Sequence, residues 1–229
     1  MTGLRPRMVR GRWFVTGTDT DAGKTVVTAA LAAAAAPNVL AAKPIATGVR
    51  EGAVPDDAAL LARSGGHAPS YFMAFSAPVS PHRASPRPIG PEAVVWTAAL
   101  TADVLLVEGV GGWRVPLGGA WVTDLARAAL GSGPGGIVIA APDRVGVINQ
   151  VLLTVEAIRR DGLPIVGVVL SRFPPTDPSV ATNADDLTSL LDLPVATLER
   201  LNIQDISVLA DAGRRVWTTL GVSGFNRRS

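Results

Sequence analysis

Trp13-Phe14-Val15-Thr16-Gly17-Thr18-Asp19-Thr20-Asp21-Ala22-Gly23-Lys24-Thr25, with the Val26-Val27-Thr28-Ala29-Ala30-Leu31 that follows, decides the fold. Four strand-forming residues lead into a turn rich in Gly and Asp, and an alanine-rich helical stretch begins directly after it. In that setting the free N–H groups of a helix start face an anion. Gly23 to Thr25 would hold phosphate oxygens, Lys24 would reach the β and γ phosphates, and Thr25 would ligate Mg²⁺. The first glycine lies one residue early for G-x-x-x-x-G-K-[ST], with Thr18 in its place, while Gly23-Lys24-Thr25 is intact.

Beyond this loop, short apolar runs at 13–16, 39–42, 104–107, 137–141 and 165–170, with a weaker one at 194–198, alternate with helix-like stretches. The latter are expected at 24–35, 57–64, 91–100, 123–130, 145–160, 183–191 and 206–220. Continuous rather than alternating apolar runs belong to strands covered on both faces, so the fold class is α/β. The expected architecture is three layers, a mostly parallel sheet with helices on both faces. The 229 residues, 48% of them hydrophobic, fit one domain over 1–229, with residues 1–11 as a flexible basic leader. The stretch 78–91 holds five prolines and reads as a long ordered loop, a candidate lid.

Cysteine is absent, which excludes disulfides, thiolate metal sites and a Cys nucleophile. No signal peptide is read, because Asp19, Asp21 and Lys24 lie between the basic start and the apolar stretch 26–36, which is too short to span a bilayer; a cytoplasmic address and no membrane contact are expected. The pI of 9.6 suggests a nucleic-acid partner, but the net charge is only +2 and the arginines are scattered, so none is expected. Of 21 basic residues 19 are Arg, and the two lysines, Lys24 and Lys43, both fall at ends of expected strands. A compact or deprotonatable ammonium is what Arg cannot supply.

Val104-Leu105-Leu106-Val107-Glu108-Gly109-Val110-Gly111-Gly112 puts a carboxylate at the carboxyl end of a buried strand, where ligands of open α/β sheets bind. Glu108 is a candidate Mg²⁺ ligand or a contact to a substrate amine. Val39-Leu40-Ala41-Ala42-Lys43-Pro44-Ile45-Ala46-Thr47-Gly48 brings Lys43 to the same edge, as a cation for a charged reacting group. Asp56 and Asp57 open a short helix that either could cap. His67 sits in a turn and is expected to be solvated, His82 to order its loop, and Trp113 to wall a substrate chain or join the core.

Together, the phosphate loop, Lys43-Pro44-Ile45-Ala46-Thr47-Gly48, Ser80-Pro81-His82 and Val107-Glu108-Gly109-Val110-Gly111-Gly112-Trp113 resemble the dethiobiotin synthetase family of the P-loop NTPase superfamily. The resemblance implies closure of a cyclic urea from 7,8-diaminononanoate, CO₂ (or bicarbonate) and ATP with Mg²⁺, the penultimate step of biotin synthesis. One amine becomes a carbamate, the carbamate takes the γ-phosphoryl group, and the other amine displaces phosphate. It implies nucleotide contacts at Thr20, Asp21, Ala22, Gly23, Lys24, Thr25, Val26, Glu108 and Ser171, and a metal shell of Thr25, Asp57 and Glu108. Lys43, Lys24 and Thr18 would carry the chemistry. Thr18, Lys43 and Thr47 would hold the reacting end of the substrate. Its far carboxylate would reach the helix start Gly146-Val147-Ile148-Asn149 of the other subunit in a homodimer.

Many members carry Asn after the fifth strand to read adenine; here Ser171-Arg172-Phe173-Pro174-Pro175 and Leu198-Glu199-Arg200-Leu201 stand instead. A single hydroxyl in place of a paired amide implies that other nucleoside triphosphates are accepted nearly as well as ATP. Partitioning ATPases of the same fold carry an extra lysine where Asp19 stands. Amide synthases of the cobyrinate type need a glutaminase domain that 229 residues cannot hold.

Overall fold

The computed structural model describes residues 10–171 and 178–222. In chain order the elements are β1 (Gly11–Gly17), α1 (Lys24–Ala35), β2 (Val39–Ala42), β3 (Ile45–Thr47), α2 (Asp56–Gly65), β4 (Met73–Phe75), α3 (Pro81–Ala84), α4 (Gly90–Ala98) and β5 (Val104–Gly112). Then come α5 (Val122–Leu130), β6 (Gly135–Pro142), α6 (Val147–Arg160), β7 (Ile165–Ser171), a 3₁₀ turn (Pro178–Ala181), α7 (Asn183–Leu190), β8 (Val195–Leu198) and α8 (Ile206–Thr219). Six strands form one sheet in the order β2-β5-β1-β6-β7-β8, every neighbouring pair parallel.

Alternate residues of each strand feed two separate cores. Trp13, Val15, Leu106 and Val138 pack under α1 and α8 with Leu31, Leu209 and Trp217, where the Trp13 and Trp217 rings meet edge-on at 4.9 Å. Phe14, Leu105, Val107 and Ile139 pack on the other face against Leu125 of α5 and Val151 of α6. This is the expected three-layer sandwich. Gly213 lets α8 lie directly on α1, because a Cβ there would stand 1.9 Å from the Ala30 carbonyl oxygen. No helix among the described residues is long and apolar enough to cross a membrane.

Several local expectations change. Gly11, placed in the leader, opens β1: its N–H donates to Asp103 O at 2.9 Å, and Arg12 beside it donates from Nε to Ala129 O and from Nη2 to Leu100 O. Residues 1–9 of the expected leader lie outside the described residues. The stretch 78–91, expected as a long ordered loop, contains the four-residue helix α3, with Pro81 at its first position, and ends where Gly90 starts α4, its N–H on Gly118 O. A second sheet, β3 paired parallel with β4, has no counterpart in the expected elements. His67, expected to be solvated, is half-buried: its Nε2 accepts the Ala41 N–H at 3.0 Å and its Nδ1 lies 2.8 Å from Ala68 O, so the ring covers the free edge of β2.

Candidate active site

All strands of the main sheet point the same way, so the loops leaving β1, β2 and β5 open at one edge. The phosphate loop leaves β1 there. Gly23 adopts φ 84°, a left-handed conformation, and a Cβ on it would stand 2.2 Å from the Ser171 hydroxyl at the end of β7. Lys24 is 7% exposed and folds back across the loop to donate to Asp19 O at 2.8 Å. Burial, and after it the charge of Lys43, bring the Lys24 ammonium down to about 8 against the pull of Glu108, Asp57 and Asp19.

Lys43 follows the last residue of β2 and is 4% exposed. Its Nζ lies 2.5 Å from Glu108 Oε1, 2.8 Å from Asp57 Oδ2 and 3.3 Å from Gly109 O. Burial works against this ammonium, but Glu108 and Asp57 outweigh it and raise Lys43 above the ordinary lysine value. Asp57 is lowered, burial being overcome by Lys43. Glu108 lies within β5, opposite Val15, rather than in the loop after it, and is fully buried. That burial pushes its carboxyl up despite Lys43.

Thr25 Oγ1 stands 2.8 Å from Glu108 Oε1 and 3.0 Å from Asp57 Oδ1. A hydroxyl has one proton to give, so it can satisfy only one of these two carboxylates, and Glu108 Oε1 also faces the Lys43 ammonium. Glu108 Oε2 is buried with no partner among the described residues, which leaves it as a further donor atom. Asp57, rather than Asp56, faces this cluster from the first turn of α2.

A cavity of about 460 Å³ opens on the cluster, lined by residues 20–26, Lys43, Thr47, Asp57 and Glu108. A second, of about 490 Å³, adjoins it through Ala46, Thr47 and Asp57 and extends to Arg50 and Asp56. Most residues expected at the phosphates, the metal and the reacting end of the substrate therefore share one space. Thr18, expected at the reacting centre, lines neither cavity; it is half buried, its Oγ1 without a partner among the described residues. Ser171 does not line the cavity but lies behind Gly23. The expected base-side stretch Arg172-Phe173-Pro174-Pro175 lies outside the described residues.

Gly146, Val147, Ile148 and Asn149 line neither cavity. Gly146 caps α6 at φ 89°, and that helix begins at Val147, two residues later than expected. Trp113 belongs to the core: 4% exposed, it stands edge-on to Phe14 and donates from Nε1 to Asp161 Oδ2 at 2.7 Å. The Gly109 carbonyl that receives Lys43 and the Asp19 carbonyl that receives Lys24 were invisible in the sequence, because a backbone acceptor has no side-chain signature.

A family model described as AAA domain matches residues 12–203. The ATP-dependent dethiobiotin synthetase of Pseudomonas paraeruginosa strain PA7 is 39% identical over 221 residues, covering 88% of this chain and 91% of its own. That of Anaeromyxobacter dehalogenans is 41% identical over 190 residues, covering 77% and 84%. Among solved structures, a plasmid partition protein of Borrelia burgdorferi bound to AMPPNP superposes with TM-score 0.53 at 11% identity, covering 93% and 98%. The McdA–ATP complex of Cyanothece superposes with TM-score 0.51 at 12% identity, covering 96% and 100%. At such identities the likeness concerns the fold alone. The relatives of higher identity cover most of the chain, and the chain belongs to the ATP-dependent dethiobiotin synthetase family.

Proposed function

We propose that the chain, folded as one domain, closes the cyclic urea of dethiobiotin from 7,8-diaminononanoate, CO₂ and ATP, the penultimate step of biotin synthesis. The observation that carries this reading is the single cavity onto which Lys24, Lys43, Thr25, Asp57 and Glu108 all open. An amine of the substrate adds to CO₂ and loses a proton, leaving a carbamate. A carbamate oxygen attacks the γ-phosphorus as ADP departs, giving a carbamic–phosphoric anhydride. The second amine attacks the carbonyl, phosphate leaves with that oxygen, and loss of a proton completes the ring.

The protein supplies no covalent catalyst for these steps; it positions the reactants and balances charge. The N–H groups of Gly23 to Thr25 and the Lys24 ammonium hold the phosphate tail. Thr25, Asp57 and Glu108 would hold Mg²⁺, and the crowded oxygens with the unpartnered Glu108 Oε2 fit that cation, which takes one or two carboxylates and completes its shell with phosphate oxygens and water. When bound, Mg²⁺ supplies positive charge to the β and γ phosphates. Lys43 holds the carbamate, and Thr18 and Thr47 stand beside the reacting centre.

The substrate's far carboxylate would be received by the free N–H groups at the start of α6, Gly146 to Asn149, of a second subunit in a homodimer. The expected address is the cytoplasm. The acceptance of nucleoside triphosphates besides ATP stands with Ser171 as its motive, and comparable kcat/KM for CTP and ATP supports it; a hundredfold preference for ATP removes it. Mass analysis of 7,8-diaminononanoate incubated with the protein, bicarbonate, Mg²⁺ and ATP tests the whole reading. The expected product has gained CO₂ and lost water; ATP hydrolysis with the diamine unchanged overturns it.

A further inference from the structure

The three hydrogens of the Lys43 ammonium meet three acceptors of the protein itself: Glu108 Oε1, Asp57 Oδ2 and Gly109 O. None remains for a substrate. The carboxylates that engage it are the two that, with Thr25 Oγ1, form the crowded oxygen cluster. One set of oxygens is thus asked to serve two cations. Glu108 is fully buried and Asp57 only partly so; a buried carboxylate stays ionised only with a cation beside it, so some positive charge must reside there before the metal arrives.

We infer that Lys43 is the resident counter-cation of Asp57 and Glu108, and that entry of the divalent cation releases its ammonium into the cavity to receive the carbamate. This rests on the reading of the site proposed above. Lys43 lines that cavity together with Thr47, and its four-carbon stem can swing without movement of β2. Metal binding and carbamate capture are then coupled: before the metal enters, the ammonium is fully engaged. The coupling is reciprocal, so a carbamate that holds Lys43 also tightens the metal.

The chain has two lysines, so ¹⁵Nζ-lysine labelling of the wild-type protein gives two side-chain signals, assigned with Lys24→Met. Mg²⁺ alone, without nucleotide or diamine, is expected to shift the Lys43 signal and to speed its hydrogen exchange with water, leaving Lys24 on Asp19 O. An unmoved Lys43 signal at saturating Mg²⁺ overturns the inference. In parallel, free Mn²⁺ is followed by electron paramagnetic resonance. Lys43→Met is expected to bind Mn²⁺ at least about fivefold more tightly than wild type. Lys24→Met, which removes one charge from the same cavity but frees no carboxylate, is expected to change it less. Equal tightening in both variants means charge alone and overturns the exchange. Because neither measurement includes the diamine or ATP, a failure here is separate from a failure to make dethiobiotin.

Discussion

At the amino rim of the sheet, Arg12 donates to Ala129 O and Leu100 O, and Arg127 donates to Asp161 O, so these guanidinium groups end on carbonyls at or beside helix ends. At the carboxyl rim, Lys43 ends on two carboxylates, while Thr16 Oγ1, Thr18 Oγ1, Glu108 Oε2 and Ser171 Oγ are buried without a partner among the described residues. An orphaned buried polar group costs about 1–3 kcal/mol. These amino-rim guanidinium groups are satisfied by the protein itself, whereas the carboxyl rim carries unsatisfied groups that a ligand would complete. A variant at the amino rim should therefore change folding and leave turnover alone, and a variant at the carboxyl rim should change turnover.

The largest effect is expected from Lys24→Ala, which removes the ammonium from the phosphate tail. ATP-dependent turnover should fall by about 10³-fold or more, with nucleotide affinity falling alongside. Lys43→Ala should lower product formation by about 10²–10³-fold while the affinity for a non-hydrolysable ATP analogue stays within about threefold, which titration calorimetry checks. If Lys43→Arg keeps full activity, a compact ammonium is not what the site needs.

Gly23→Ala forces a β-carbon into the Ser171 hydroxyl and a left-handed φ onto a residue that disfavours it. A cost of about 1–3 kcal/mol is expected, felt both in ATP affinity and in denaturant unfolding. Arg12→Met at the opposite rim should lower unfolding free energy by about 1–3 kcal/mol with kcat/KM unchanged. His67→Ala, which uncovers the Ala41 N–H at the sheet edge, should cost about 1 kcal/mol and nothing in turnover. Loss of activity in either of these last two, at matched folded fraction, would break the contrast between the rims.

The main sheet was legible because its strands are buried on both faces and read as unbroken apolar runs. β3 and β4 were not, being three residues each and lying beside Pro44 and a loop, below the length at which period shows. α3 was hidden by the prolines around it, although Pro81 is what starts it. Lys24, Lys43 and Glu108 stood out because a strand end is where ligands gather and because lysine is rare in an arginine-rich chain. The pairing of Lys43 with Asp57 was not readable, since the two sit on different elements brought together by the fold. His67 was misread for the same reason: its partner, Ala41 N–H, is remote in sequence and has no side chain to announce it.

A reaction started with ¹⁸O-labelled CO₂ and stopped before the label exchanges with water tests the carbamate's attack on the γ-phosphorus most directly. One labelled oxygen is expected in the released phosphate and one in the urea carbonyl of the product. Labelled urea accompanied by unlabelled phosphate would contradict phosphoryl transfer to the carbamate at this rim.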